Sequence, residues 1–295
     1  MKKIFIMAVV VMVFASCKTP PPPPTDDGNP KTNPEISVEI PELFSPNPDN
    51  ANETMSIQID VKHPVPIKDW TIAIQHHEAE ENHGNDSQQK ARQSRPFFEQ
   101  SGKGTPPAAW SWNGRSASGE MVQSATDYKF VLTVNDSFAN NAVYEGIISV
   151  DVIVRHEGGI LRIVVPSIIF PPNSSDFKLL SQDEMQSNAR VLALIAKALN
   201  KFDAYKIKVE GHANPTTPPN TAHRRTEEAG NRTIIGLKPL SEARAKAVVD
   251  YLVANNGIKR ERLSYVGIGG ARTVANYTDK NENWKNRRVE FILQK

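Results

Sequence analysis

The chain has 295 residues, long enough for two ordinary domains or one large one. With 39% apolar and 23% charged residues it is globular material, diluted by 22 prolines, and its 35 basic and 33 acidic side chains form no basic stripe, which sets aside a general nucleic-acid binder. The single cysteine, Cys17, excludes an internal disulfide, and no Cys or His array has zinc spacing.

Residues 1–16 begin with two lysines and continue as an apolar run from Ile4 to Phe14. The run is too short to span a bilayer comfortably, which takes about 20 residues, and its length suits a secretory signal segment. Ala15-Ser16-Cys17 resembles a bacterial lipobox, with Phe14 where that pattern usually has Leu. The resemblance implies cleavage before Cys17 and acylation of that cysteine; an ordinary signal peptide or an uncleaved anchor is the alternative. Loss of Lys2 and Lys3 leaves no net charge. Lys18 is not the Asp that retains such lipoproteins at the inner membrane in some bacteria, which favours the outer membrane. Residues 17–35 then form a Pro-rich tether, which in a polyproline-like state reaches roughly 55 Å at about 3.1 Å per residue. Several acyl chains would anchor it stably, at about 0.8 kcal/mol per buried methylene.

From residue 36 to 156 the signals are strands and turns. ISVEI, MSIQIDV and WTIAIQ alternate apolar with polar, as half-buried strands do, and DYKFVLTVND and GIISVDVIV follow. This pattern predicts an all-β sandwich. Phe44-Ser45-Pro46-Asn47-Pro48-Asp49, Trp112-Asn113-Gly114, Gly119-Glu120-Met121-Val122 and Ala125-Thr126-Asp127-Tyr128 together resemble the Ig-like module of the flagellar hook-cap protein FlgD. The resemblance implies a spacer or docking surface rather than an enzyme. A polar insert within it carries His76, His77, Glu78, Glu80, Glu81 and His83. These are metal-ligating residue types, but their spacing fixes no common face, so a solvated loop is the better reading.

Residues 157–295 change character. LRIVVPSIIF reads as a strand, and Ser181-Gln182-Asp183-Glu184 as a capping box. Met185, Ala189, Leu192, Ile195, Ala196 and Leu199 recur at helical steps. YKIKVEG is the next strand. A long polar loop leads to a second helix from Leu240, with Ala243, Ala247, Val248, Tyr251 and Leu252 expected on its buried face and a C-cap at Asn256-Gly257. RLSYVGIG and RRVEFILQ end the chain. The order β-α-β-α-β-β predicts an α/β domain, two helices covering a four-stranded mixed sheet, and hence a multi-domain protein.

Gly211-His212, Leu240-Ser241 with Arg244-Ala245, Val266-Gly267 with Gly269, and Asn286-Arg287-Arg288-Val289-Glu290-Phe291 resemble, in this order, the OmpA-like peptidoglycan-binding domain. The resemblance implies a site for the diamino-acid residue of the stem peptide, and so a lipoprotein that links a membrane to the cell wall. A guanidinium fork suits that residue's carboxylate, a helix N-terminus adds a favourable dipole, and Arg244 stands where both coincide. Either Arg287 or Arg288 is expected beside it. They alternate faces, and the sequence does not say which points in. For the ammonium the family places an acid two residues after Gly-His, but this chain has Asn214 there, preceded by Ala213, and Leu237 stands where the family has Asn. A hydrogen bond to a charged group contributes about 1.5–3 kcal/mol against about 0.5–1.5 for a neutral one. Asn in place of Asp therefore implies ammonium binding weaker by roughly 5- to 30-fold. Three outcomes stay open: weak binding of ordinary wall, preference for another diamine such as ornithine, or a scaffold that works through envelope proteins.

No nucleophile elbow, zincin motif or Walker loop is present, so no catalytic residue, cofactor or metal is expected. Glu210 and His212, two apart on a strand, share a face, but the resemblance gives Gly-His a structural role.

Overall fold

The structure is a computed structural model that describes residues 32–77, 96–215, 237–280 and 282–295, together with two short strands between 227 and 234. Cys17, the signal segment, most of the tether, and Glu78, Glu80, Glu81 and His83 of the polar insert lie outside the described residues.

Two antiparallel sheets form the N-terminal part. One has the order β1 (Glu35–Glu39), β2 (Met55–Lys62), β5 (Ala109–Trp112); the other has β4 (Phe98–Lys103), β3 (Ile67–His76), β6 (Asp127–Asp136), β7 (Asn141–Ser149). Alternation drives their pairing. Every second residue of β6 is buried along its whole length, because side chains on a strand point to opposite faces. Ile57 and Ile59 of β2 join Trp110 and Trp112 of β5 and Ile72, Ile74, Tyr128, Phe130 and Leu132 of the other sheet in one apolar cluster. Two sheets that share a core in this way are a sandwich. The sequence-distant motif pieces meet there. The Phe44 and Trp112 rings lie 5.9 Å apart, Arg115 Nη2 donates to the Pro48 carbonyl at 3.1 Å, and the Gln123 amide donates to the Tyr128 hydroxyl at 2.9 Å.

The chain then crosses to a second core. Ile153 is buried in the sandwich cluster, whereas Val152 and Val154 pack against the C-terminal one. β8 (Val154–Glu157) pairs with β9 (Ile160–Val165), and the sheet continues through β14 (Val289–Gln294) and β10 (Lys206–His212) to β13 (Leu263–Gly269). Only β10 and β13 run parallel. The sheet thus has five strands, not four. GIISVDVIV reads as a single strand, but it breaks after Ser149 because the chain changes sheets there.

Two helices cover one face. α1 (Gln182–Asn200) begins with the expected reciprocal cap: the Ser181 hydroxyl accepts from the Glu184 amide, and the Glu184 carboxylate accepts from the Ser181 amide. α2 (Leu237–Asn256) starts three residues earlier than the sequence pattern predicts, with Pro239 in its first turn, where its missing N–H costs nothing. Its buried residues are Leu240, Ser241, Ala245, Val248, Val249 and Leu252. Ala243, expected on the buried face, is exposed. Within the long loop before α2, strands β11 (Glu227–Ala229) and β12 (Arg232–Ile234) form a short hairpin.

Glycines let α2 lie directly on the strands. A Cβ on Gly211 would stand 2.0 Å from the Ser241 carbonyl oxygen, and one on Gly267 would stand 2.3 Å from that of Lys238. The Ser241 hydroxyl donates to the Lys238 carbonyl and accepts from the Gly269 amide, both at 2.9 Å, which ties the first turn of α2 to the end of β13.

Candidate functional site

Arg244 leaves α2 toward the loop that precedes α1. Its Nε donates to the Ser174 carbonyl at 3.0 Å and its Nη2 to the Pro171 carbonyl at 3.1 Å, while the guanidinium carbon lies 5.0 Å from the centre of the Phe170 ring. Among the described residues these partners are neutral, and no carboxylate is among them. Burial, and then the neighbouring charge of Arg287, bring its pKa down to about 10. The loop is itself fixed by Asn188 of α1, a buried residue whose side chain donates to the Ile169 carbonyl and accepts from the Ile169 amide, at 2.9 and 2.8 Å.

The choice between the two C-terminal arginines follows from strand parity. Arg287 has the parity of Val289, on the helix-covered side, remains exposed, and its charge lowers the pKa of Arg244. Arg288 shares the opposite side with Glu290, is 5% exposed, and donates to the Glu290 carboxylate through Nε and Nη2, each at 2.7 Å. Arg288 is therefore not the residue that accompanies Arg244.

Asn214 is half-buried and engaged at both ends of its amide. Its Oδ1 accepts from Asn286 Nδ2 at 2.8 Å, and its Nδ2 donates to the Tyr277 carbonyl at 3.2 Å. Asn286 is the organiser here. It is fully buried, its Oδ1 accepts from the Val274 and Ala275 amides, and its Nδ2 also donates to the Ala275 carbonyl. Hydrogen bonding links Asn214 to Asn286, chain connectivity links Asn286 to Arg287, and charge proximity links Arg287 to Arg244. Sequence reading passed over Asn188 and gave Asn286 no role of its own. Asn286 directly precedes the paired arginines; Asn188, a polar residue inside an apolar helical run, gave the only signal of a buried amide with backbone partners.

The opposite face of the sheet carries a second polar group. Glu210 and Glu290 stand directly across from one another on β10 and β14, an arrangement that repels unless compensated. Arg272 and Lys208 contact Glu210, each at 2.8 Å; Arg288 and Arg162 contact Glu290. His212 sits between the two acids, with its Nε2 3.8 Å from Glu210 and 3.6 Å from Glu290. Burial, then the charge of Arg288, lower its pKa to about 4 against the pull of both acids, which keeps the ring neutral. The ligand atoms of Glu210, His212 and Glu290 lie within 4.8 Å of one another, close enough for a metal ion. The charge balance opposes one: four cationic side chains already serve two carboxylates. The tempting Glu210–His212 pair is thus sealed inside an ion cluster.

The chain is similar to several known proteins. Over 55 residues the chain is 42% identical to the peptidoglycan-binding protein ArfA of Mycobacterium tuberculosis, a match that spans 19% of this chain and 17% of ArfA. A putative MotB-like protein from Desulfovibrio vulgaris superposes at a TM-score of 0.38 with 24% identity, over 49% of this chain and 78% of that one. The cell wall anchor of the T6SS from Pseudomonas aeruginosa does so at 0.36 with 26% identity, over 48% and 86%. The model of the OmpA family matches residues 169–287, the stretch that holds both helices, Asn214, Arg244 and Arg287, and this part of the chain is an OmpA-family domain.

Proposed function

We propose that this chain is a cell-envelope lipoprotein that ties a membrane, the outer one by the residue after Cys17, to peptidoglycan without a covalent bond. Acylated Cys17 and the tether to residue 35 provide the anchor, residues 36–156 form an Ig-like spacer of the FlgD type, and residues 157–295 reach the wall. The domain acts by binding and not by catalysis. The peptidoglycan-binding name of the relative ArfA supports this reading.

The observation that carries it is Arg244, a half-buried guanidinium on α2 held by the Ser174 and Pro171 carbonyls and the Phe170 ring. The Arg244 guanidinium has carbonyl oxygens and an aromatic face as its partners among the described residues, so no carboxylate among them offsets its charge. The carboxylate of a stem-peptide diamino acid is an anion of the right shape for a guanidinium fork. The ammonium side is weaker, because the Asn214 oxygen already accepts from Asn286. That observation favours a wall whose diamine makes less use of this position, ornithine being one candidate.

The test is retention on purified sacculi of the diaminopimelate and ornithine types. Wild type is retained, and Arg244→Ala loses at least about 10-fold in affinity, the value of one charge-assisted hydrogen bond. Absence of retention on both walls overturns the reading and shifts the function to protein contacts within the envelope.

A further inference from the structure

We infer that the N-terminal sandwich is a positioning element of the ligand site, acting through His76 and Glu120 on the turn that places Arg287. This rests on the wall-binding reading above and adds a dependence that the OmpA-family domain alone does not contain.

Arg287 follows a single 3₁₀ turn, Asn283–Asn286, and its amide donates to the Trp284 carbonyl at 2.9 Å. Any displacement of Trp284 is therefore passed to Arg287. One such turn is not stable by itself, and no side chain caps the N-terminal end of this one. It is gripped from two sides. On the inner side stands Asn286, with its bonds to Asn214 and to the 274–275 backbone. On the outer side stands the sandwich. The Trp284 ring meets the ring of His76, the last residue of β3, at 5.4 Å and 75°. Lys285 Nζ lies 2.6 Å from Glu120 Oε1 and also pairs with Glu282.

Both outer contacts are built on prepared supports. His76 is wedged against Phe97 and Tyr128, at 5.5 and 5.1 Å, and Tyr128 is fully buried in the sandwich core. Glu120 closes a tight loop in which its amide donates to the Ser116 hydroxyl and its carbonyl accepts from the Ser116 amide. The Lys285 side chain is only 15% exposed. Burial alone would lower its pKa, yet the two acids raise it, so the ammonium stays charged inside the joint. The competing account is that Asn286 alone fixes the turn and the sandwich only adds length.

The experiment uses the full chain with Glu120→Lys, His76→Ala, and the swap Glu120→Lys with Lys285→Glu. Retention on diaminopimelate- and ornithine-type sacculi is measured beside amide deuterium exchange over residues 283–288, which needs no ligand. Each single substitution is expected to weaken retention by about 3- to 10-fold and to speed exchange in the turn while leaving α1 unchanged, and the swap is expected to restore both. Unchanged exchange at 283–288 in both single variants overturns the inference, and so does faster exchange with retention held within about twofold. If wild type is retained by neither wall, the wall-binding reading falls, and the exchange data alone decide whether the sandwich holds the turn.

Discussion

Asn214 shows how one atom of difference is absorbed by its neighbours. An aspartate there would still accept from Asn286 but would set a carboxylate oxygen against the Tyr277 carbonyl that now accepts from the amide. Asn214→Asp is therefore expected to lower the stability of the unliganded protein by about 1–3 kcal/mol, read as a lower denaturation midpoint, and to raise retention on diaminopimelate sacculi. A gain in retention with no loss of stability would show that the Tyr277 bond contributes nothing. Asp136, at the far end of the sandwich, answers to pH instead. Burial pushes its carboxyl up, but hydrogen bonds from Asn140, His63 and the Phe138 amide outweigh it and bring the pKa from 3.8 down to about 2. A depressed carboxyl pKa adds stability above the unfolded value, and that contribution is lost as pH falls from 3.8 toward 2. Thermal melts across this range should show a steep acid limb that Asp136→Asn flattens. The sequence offered Asn214, Arg244, Arg287 and Arg288 as candidates but not their bonds. It left Arg287 and Arg288 tied because parity becomes a direction only once Val289 and Glu290 have sides.

At the scale of the element, α2 was harder to read than α1. The cap of α1 is local in sequence, so Ser181 and Glu184 announce it. α2 offers mostly alanine and valine, and such small residues give little contrast between faces. Which face is buried is set from outside, by Gly211 and Gly267, which let the helix backbone rest on the sheet. Gly211→Ala is expected to lift α2 where Ser241 and Ala245 meet the sheet, destabilise the domain by about 1–3 kcal/mol or more, and weaken wall retention, since Arg244 lies between those two contacts. Urea unfolding of the variant checks it; an unchanged midpoint would mean that α2 shifts freely. Asn188→Leu tests the loop under Arg244 in the same way. It leaves the Ile169 amide and carbonyl unpaired and should cost about 1–3 kcal/mol.

For the whole molecule, the strands with long apolar alternation were legible, whereas β4 (Phe98–Lys103), which is polar and falls in the insert read as a loop, the short β5 (Ala109–Trp112), and β8, whose signal merged with that of its predecessor, were not. β8 ends at residue 157, the point at which the composition changes, so all but its last residue lie before it. A fragment that starts there leaves β9 as an uncovered edge and should unfold at lower denaturant than one that starts at residue 152; equal midpoints would make β8 dispensable. The sandwich also touches α1 through Arg190, which pairs with Asp127 and donates to Ser149 at 3.3 Å, so its hold on the second domain extends beyond the 283–286 turn. The crossing at 152–154 sets a rule of parity on this joint. Val152 and Val154 belong to one core and Ile153 to the other, so adding a single residue here would send each side chain into the wrong body. Adding two would return each to its own. Length at this point is counted in pairs, and a lineage that lengthens the protein by an odd number of residues has to do so elsewhere.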